Sequence, residues 1–337
     1  MQRRTFISAA IGSVAGMAGL SFPGSMARGT ATASGVRPYQ GAALAFGTTI
    51  AVTVLHHDQR QAELAIEDAL HAARNIDRLM SIYSPASQVF QLNHDGRLAR
   101  PDAHLLAVLA QAHALSQWSD GAFDITVQPL WQLFRAAADQ ASLPTDTLRR
   151  AAQARVGWRQ LAWNSREVRF LRPGMALTLN GLAQGYAADM ALAAVQARGI
   201  RHALLDTGEF VARGQRSVRR PWTLGIQDPR DAEILAATLK VEGRSVATSG
   251  DYECTFTPDF VHHHIFDPAN GDSPGELASV TVLAPTGLLA DGLSTTFMVT
   301  GAARAHAMAA QMEGVDLMTI DKRGRRAMSP GFSRLLF

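Results

Sequence analysis

Apolar positions along the chain change period several times, and each change marks an element. From Gln61 to Ser81 they fall at Leu64, Ile66, Leu70, Ala73, Ile76, Leu79 and Met80, the spacing of a helix with one buried face. Leu105 to Trp118 repeats that spacing, and Leu143 to Arg155 predicts a further helix with Asp146 near its start. Leu182 to Arg198 is apolar almost all round; Asn180-Gly181 leads into it, and Gly199 stands where a glycine closes a helix. Leu289 to Val299 and Ala303 to Met312 read as helices too. Between them lie runs of β character: Phe46 to Leu55, Gln160 to Trp163, Val168 to Leu171, Met175 to Leu179, His202 to Asp206, Trp222 to Gln227, Ser279 to Leu283 and Leu317 to Ile320. Leu235 to Phe266 alternates short strands with Gly and Asp-Pro breaks. Strands and helices that mix without regular βαβ alternation predict an α+β fold, with mixed sheets and packed helices.

Composition narrows the class. Of 337 residues, 47% are hydrophobic and 18% charged, and no apolar run reaches the ~20 residues of a membrane span. Lys240 and Lys322 are the only lysines, and the arginines are scattered. The formal charge of +3, less Arg3 and Arg4, leaves about +1, too little to steer nucleic acid or another polyanion. Those two arginines matter differently. Arg3-Arg4-Thr5-Phe6 followed by a short apolar, Gly- and Ala-broken stretch to Phe22 reads as a twin-arginine export signal. Cleavage is expected after Ala27, with Ala33 as the other small-residue site, so residues 1–27 are the signal, 28–42 a small polar linker and 43–337 the folded domain. The lone Cys254 excludes an intramolecular disulfide and lies far from the cleavage region, so the expected product is a periplasmic protein with no lipid or other stable membrane anchor.

Four segments carry candidate chemistry. Asp291 and Thr295 are four apart, which on a helix puts a carboxylate and a hydroxyl on one face, a partial site for Mg²⁺; a helix cap and a core-facing threonine fit the spacing equally well. Thr178 to Asp189 runs from a strand through Gly181 into a helix, whose N–H groups would favour a phosphate, or which is simply a tight β-to-α connection. Thr248-Ser249-Gly250-Asp251-Tyr252 precedes His262-His263-His264. On a strand only His262 and His264 would share a face, which argues against a transition-metal site. Gly121-Ala122-Phe123-Asp124 is either a loop approaching a ligand through its backbone or one plugged into the core by Phe123.

In order along the chain these segments resemble the ApbE family of FAD:protein FMN transferases. The matching motifs are Phe46-Gly47-Thr48, Ser81-Ile82-Tyr83 with Ser87 and Leu92-Asn93, Gly121 to Leu130, Leu177 to Asp189, Thr248 to Tyr252, His264 to Gly271 and Ala290 to Thr295. The resemblance implies an ApbE-like, T-fold-related architecture and Mg²⁺ held by Asp291, Thr295 and the Gly181 carbonyl. It implies FAD as substrate, with contacts at Phe46, Tyr83, Ala122, Phe123, Asp124, Thr178, Gln184, Thr248, His264 and Ile265. His264 is a candidate base, since an imidazole titrates near working pH. The implied reaction is attack of a partner's Thr or Ser hydroxyl on the FMN-side phosphorus, with AMP leaving; a FAD pyrophosphatase and a non-catalytic flavin-binding protein are the rivals. The chain departs from the family pattern at Thr178 for Asp, Asn180 for Gly, Gln184 for Lys, Phe46 for Met, and Asp206-Thr207-Gly208-Glu209 for Asn-x-Gly-Gly. These variants resemble the NosX-like branch, whose acceptor would be a NosR-like membrane flavoprotein of nitrous-oxide respiration.

Overall fold

A computed structural model describes residues 35–217 and 219–337. The expected export signal, and the expected linker up to residue 34, lie outside the described residues.

An eight-stranded sheet runs Arg37–Ala45, Thr48–His56, His202–Asp206, Phe210–Arg213, Ser245–Gly250, Leu277–Ala284, Asp316–Asp321 and Arg326–Met328. Its strands lie in chain order, and every neighbouring pair is antiparallel. The sheet is thus a meander, and the other elements are insertions between its strands. The longest insertion, from residue 57 to residue 201, carries most of the helices and a small sheet of Arg97–Ala99, Leu161–Trp163 and Glu167–Phe170.

One face of the sheet is covered by helices. Gln59–Met80 packs on the first two strands, Ala183–Ala197 on Gln59–Met80, and Gly287–Thr300 on Ala183–Ala197 and the middle strands. Their apolar faces form the main core, which includes Ala62, Ala65, Ala69, Leu179, Val195, Val280 and Phe297. The other face, with Phe210, Val246, Leu283 and Met318, packs against Trp222, Leu224 and Leu239 of a second three-stranded sheet and against Phe332. Leu277–Ala284 lies between both layers and is buried at every position, so it shows no polar alternation.

Some expected boundaries change. Residues 37–42, read as linker, are part of the edge strand Arg37–Ala45. Gly41 is small because the first long helix crosses it: a Cβ there would fall 2.3 Å from Ile66 Cγ2. Phe46 and Gly47, read as the start of a strand, are the hairpin turn, with φ of 54° and 73°. Met175 to Leu179 joins no sheet. Asn93 stands in for a neighbouring strand, accepting from Leu177 N–H at 2.7 Å and donating to Leu177 C=O at 2.8 Å. Leu143 to Arg155 forms a helix only from Asp146, after the Thr145 cap, and Gln128–Ala138 is a further helix opened by Pro129. The histidine run lies in irregular chain, where Thr255 and His263 form an isolated bridge.

Candidate functional site

The site is built where two helices meet. Ala183–Ala197 and Gly287–Thr300 approach so closely at Gly185 and Gly287 that a Cβ on Gly185 would lie 2.1 Å from the Gly287 carbonyl oxygen. Each helix lends a carboxylate to the start of the other. Asp291 Oδ2 accepts from Gly185 N–H at 3.0 Å, at the first turn of a helix that has no side-chain cap of its own. Asp189 accepts from Gly287 N–H at 2.7 Å and from Leu288 N–H at 2.9 Å. Anions at helix N-termini are stabilised by the exposed N–H groups and the helix dipole. Burial outweighs that stabilisation here. Asp291 is 4% exposed, and its pKa rises to about 7, chiefly through desolvation and then through the Asp189 charge. Desolvation raises Asp189 as well.

Two further acids stand beside this pair: Asp206, which ends the strand His202–Asp206, and Glu209, in the turn that follows. Glu209 is buried and pushed well up by desolvation, then by the charge of Asp291, against one hydrogen bond from Thr248 N–H at 3.2 Å. Asp206 rises to about 6 by desolvation. A carboxyl with a raised native pKa binds protons that the unfolded chain has released, so it lowers stability as pH rises from the ordinary value of 3.8 through about 6. Asp206→Asn removes that loss. In metal-free buffer the variant is expected to gain melting temperature over the wild type as pH climbs from 4 to 7; a constant difference across that range would refute it.

Of the oxygen set expected from the sequence, Thr295 lies against Gly181. Thr295 lies one turn beyond Asp291 on the same helix, and a Cβ on Gly181 would lie 2.8 Å from Thr295 Oγ1, so the hydroxyl faces a position that only glycine leaves open. Among the described residues no three His, Cys, Asp or Glu group as a metal site. A carboxylate, a hydroxyl and a carbonyl nonetheless suit Mg²⁺, which takes few protein oxygens and fills its shell with water or phosphate. The residues present therefore fit that ion.

A cleft of about 330 Å³ opens at the residues flanking Gly181, lined by Phe46, Asp77, Met80, Tyr83, Asn180 and Gln184 among others; Asp291, Thr295 and Gly181 themselves do not line it. Phe46 comes from the hairpin turn, and Tyr83, 60% exposed, follows the first long helix. Gln184 is held from behind. Its Nε2 donates to the Thr207 carbonyl at 2.9 Å, while Thr207 Oγ1 donates to the Gln184 carbonyl at 2.8 Å. Gly208, at φ 96°, leaves room for that amide.

Other expected contacts lie elsewhere. Asp124 caps a short 3-10 turn. Its Oδ1 accepts from Thr126 N–H and hydroxyl, at 2.8 and 2.6 Å, and its Oδ2 from Trp158 N–H at 2.9 Å. Phe123 and Ile265 are buried in the main core, so the reading of Phe123 as a core plug holds. Ala122 sits in the loop tied down by these contacts, and neither it nor His264 lines the cleft; the His264 ring lies against His263 at 6.3 Å. Thr178 accepts from Asn180 N–H at 3.2 Å, stabilising the turn into the cleft wall. Thr248 points away, its hydroxyl 2.9 Å from that of Thr281, because strand side chains alternate; its neighbour Ser249 faces the site instead, 3.2 Å from Thr295 Oγ1 and 2.7 Å from Ser294 Oγ. Asp77 is not named by any motif, and Ser249, Asn93 and Glu209 stand in the sequence motifs without a contact assigned to them. A period-two reading of Ser245–Gly250 is the signal that separates Ser249 from Thr248.

The sequence pattern of the ApbE family matches residues 46–319. This chain belongs to the ApbE family. Among its relatives, the FAD:protein FMN transferase of Salmonella typhimurium is 34% identical over 309 residues, covering 86% of this chain and 87% of the relative. The FAD:protein FMN transferase of Escherichia coli K12 is 31% identical, over 77% of this chain and 78% of its own. The ApbE protein of Thermotoga maritima superposes with a TM-score of 0.79 at 26% identity, covering 89% of this chain and 99% of that one. The apo Pseudomonas stutzeri flavinyl transferase ApbE gives 0.76 at 27% identity, over 89% and 96%. The match extends over the whole α+β frame, so the cleft and its helix pair sit in a family fold.

Proposed function

We propose that the protein is a Mg²⁺-dependent FAD:protein FMN transferase, which leaves FMN on a Thr or Ser hydroxyl of a partner protein and releases AMP. The observation that supports this reading is that Gly181, between the cleft-lining Asn180 and Ala183, lies against Thr295, one turn from Asp291. The names of the relatives support the chemistry.

The residues divide the work. The exposed Tyr83 ring offers a face for the isoalloxazine. The start of Ala183–Ala197 presents N–H groups and a positive dipole end to the pyrophosphate. Asp291 and Thr295 hold the cation, which supplies charge neutralisation at the phosphorus when bound. Positioning and electrostatics then carry most of the rate, and few protein groups need move a proton.

The Gln184 and Asp206-Thr207-Gly208-Glu209 variants support a NosX-like assignment, with a NosR-like flavoprotein as acceptor, and the Arg3-Arg4 signal supports work in the periplasm. The test is to incubate the mature protein with FAD, Mg²⁺ and candidate acceptor domains. An acceptor gaining the mass of FMN minus water, with AMP released, is the expected result. Free FMN and AMP beside unmodified acceptor would mean hydrolysis, and intact FAD would mean binding alone.

A further inference from the structure

We propose that FAD and the divalent cation bind this protein as an obligate pair, because the cleft offers the pyrophosphate no cation of its own. This rests on the transferase reading above and adds how the substrate is admitted.

Among the described residues, those lining the cleft include no Lys, Arg or His; the carboxylate among them is Asp77. Where a cation would serve a phosphate best, at the first turn of Ala183–Ala197, stands the neutral Gln184. Its amide is already engaged by the Thr207 carbonyl. Behind that wall the ionisable groups are acids that burial holds toward their neutral form, so they offer an anion no positive charge either. Asp291, Glu209 and Asp206 lie together, and the charges acting on Glu209 come from Asp291, Glu253 and Asp206, all acids. Asp291 in turn feels Asp189. The carboxylate pairs of this molecule that do hold cations lie elsewhere, such as Asp251 with Arg230 and Lys322.

A pyrophosphate diester brings two negative charges into this setting. One helix N-terminus contributes about half a positive charge, which does not balance them. A divalent cation on Asp291 and Thr295 would supply the positive charge that the cleft lacks and make the same position attractive. The coupling is reciprocal, since each ligand must raise the other's affinity by the same factor.

The test is FAD binding, read by quenching of flavin fluorescence in the mature protein, with MgCl₂ or with EDTA. The dissociation constant is expected to rise roughly 100-fold in EDTA, within the upper range of known coupling factors. Mn²⁺ affinity, read by the EPR signal of free Mn²⁺, should rise by the same factor when FAD is present. Gln184→Lys returns an ammonium to the cleft while keeping a donor for the Thr207 carbonyl. It should bind FAD in EDTA within about tenfold of its affinity in MgCl₂. Equal wild-type affinity with and without Mg²⁺, while FMN transfer still occurs, overturns the pairing and leaves the transferase reading intact. Absence of FAD binding in either buffer overturns both. A Gln184→Lys protein that melts like the wild type yet keeps the full metal dependence overturns the assignment to the missing cation.

Discussion

Asp291→Asn is expected to abolish FMN transfer while leaving the fold intact. The carboxylate is the full negative charge in the oxygen set, and an amide keeps one oxygen but binds a hard dication far less well. Losing several kcal/mol of charge stabilisation at phosphorus corresponds to a rate fall of about 10³-fold or more. The fold should survive because an Asn oxygen can accept the Gly185 N–H that Asp291 now accepts at 3.0 Å. Stability should in fact move the other way. Asp291 titrates near 7 in the native protein against an ordinary 3.8, so above that window its ionised form is a cost that the unfolded chain does not carry. At pH 8 and without metal, Asp291→Asn should therefore melt at or above the wild type. Thr295→Ala should be milder, since water replaces a neutral ligand, and high Mg²⁺ should partly restore it but hardly restore Asp291→Asn. Wild-type transfer by both variants would make Asp291 a helix cap alone and put the metal elsewhere.

That cap role is real in the structure, which shows why the sequence left two readings open. Four-residue spacing places Asp291 and Thr295 on one face of Gly287–Thr300, but it does not say what the face meets. The partner is Ala183–Ala197, whose start Asp291 caps across the helix pair. The same limit explains the rest of the site. The Gln184–Thr207 link spans 23 residues, and the burial that gathers Asp206, Glu209 and Asp291 is a tertiary fact without a local pattern. Thr248 was favoured over Ser249 because a motif names residues without saying which way each one faces; strand alternation decides it.

The fold was legible wherever apolar residues repeat with a clear period. The helix expected from Gln61 to Ser81 is observed as Gln59–Met80, and Leu182 to Arg198 as Ala183–Ala197. It was not legible where close packing replaces bulk. Arg37–Ala45 hides as a linker because Gly41 makes way for Ile66. Met175 to Leu179 has strand composition, but its backbone is paired by the Asn93 side chain. The chain-order meander was hidden too, because long insertions separate strands that are neighbours in the sheet.

Gly185→Ala is expected to cause the largest loss of stability of any single methyl added near the site. Its new Cβ would lie 2.1 Å from the Gly287 oxygen, 2.5 Å from the Gly287 carbonyl carbon and 2.7 Å from Asp291 Cβ. Two of those three atoms are backbone, so no rotamer change relieves the overlap and the helices must part. A Cβ on Gly287 would in turn lie 2.3 Å from the Gly185 oxygen, so the close approach is reciprocal. Parting them also lengthens both cross-helix caps, the one from Asp291 to Gly185 and those from Asp189 to Gly287 and Leu288. Overpacking costs ~1–3 kcal/mol or more, and this case belongs at the upper end, a fall of about 5 °C in melting temperature for a domain of this size. Gly275→Ala is the control, since nothing lies within 4 Å of its would-be Cβ, and it should melt with the wild type. Gly185→Ala should lose metal affinity as well as stability, because displacing Gly287–Thr300 carries Asp291 and Thr295 away from Gly181. If it melts with Gly275→Ala, the two helices can slide apart freely, and their glycine contact does not set the geometry of the site.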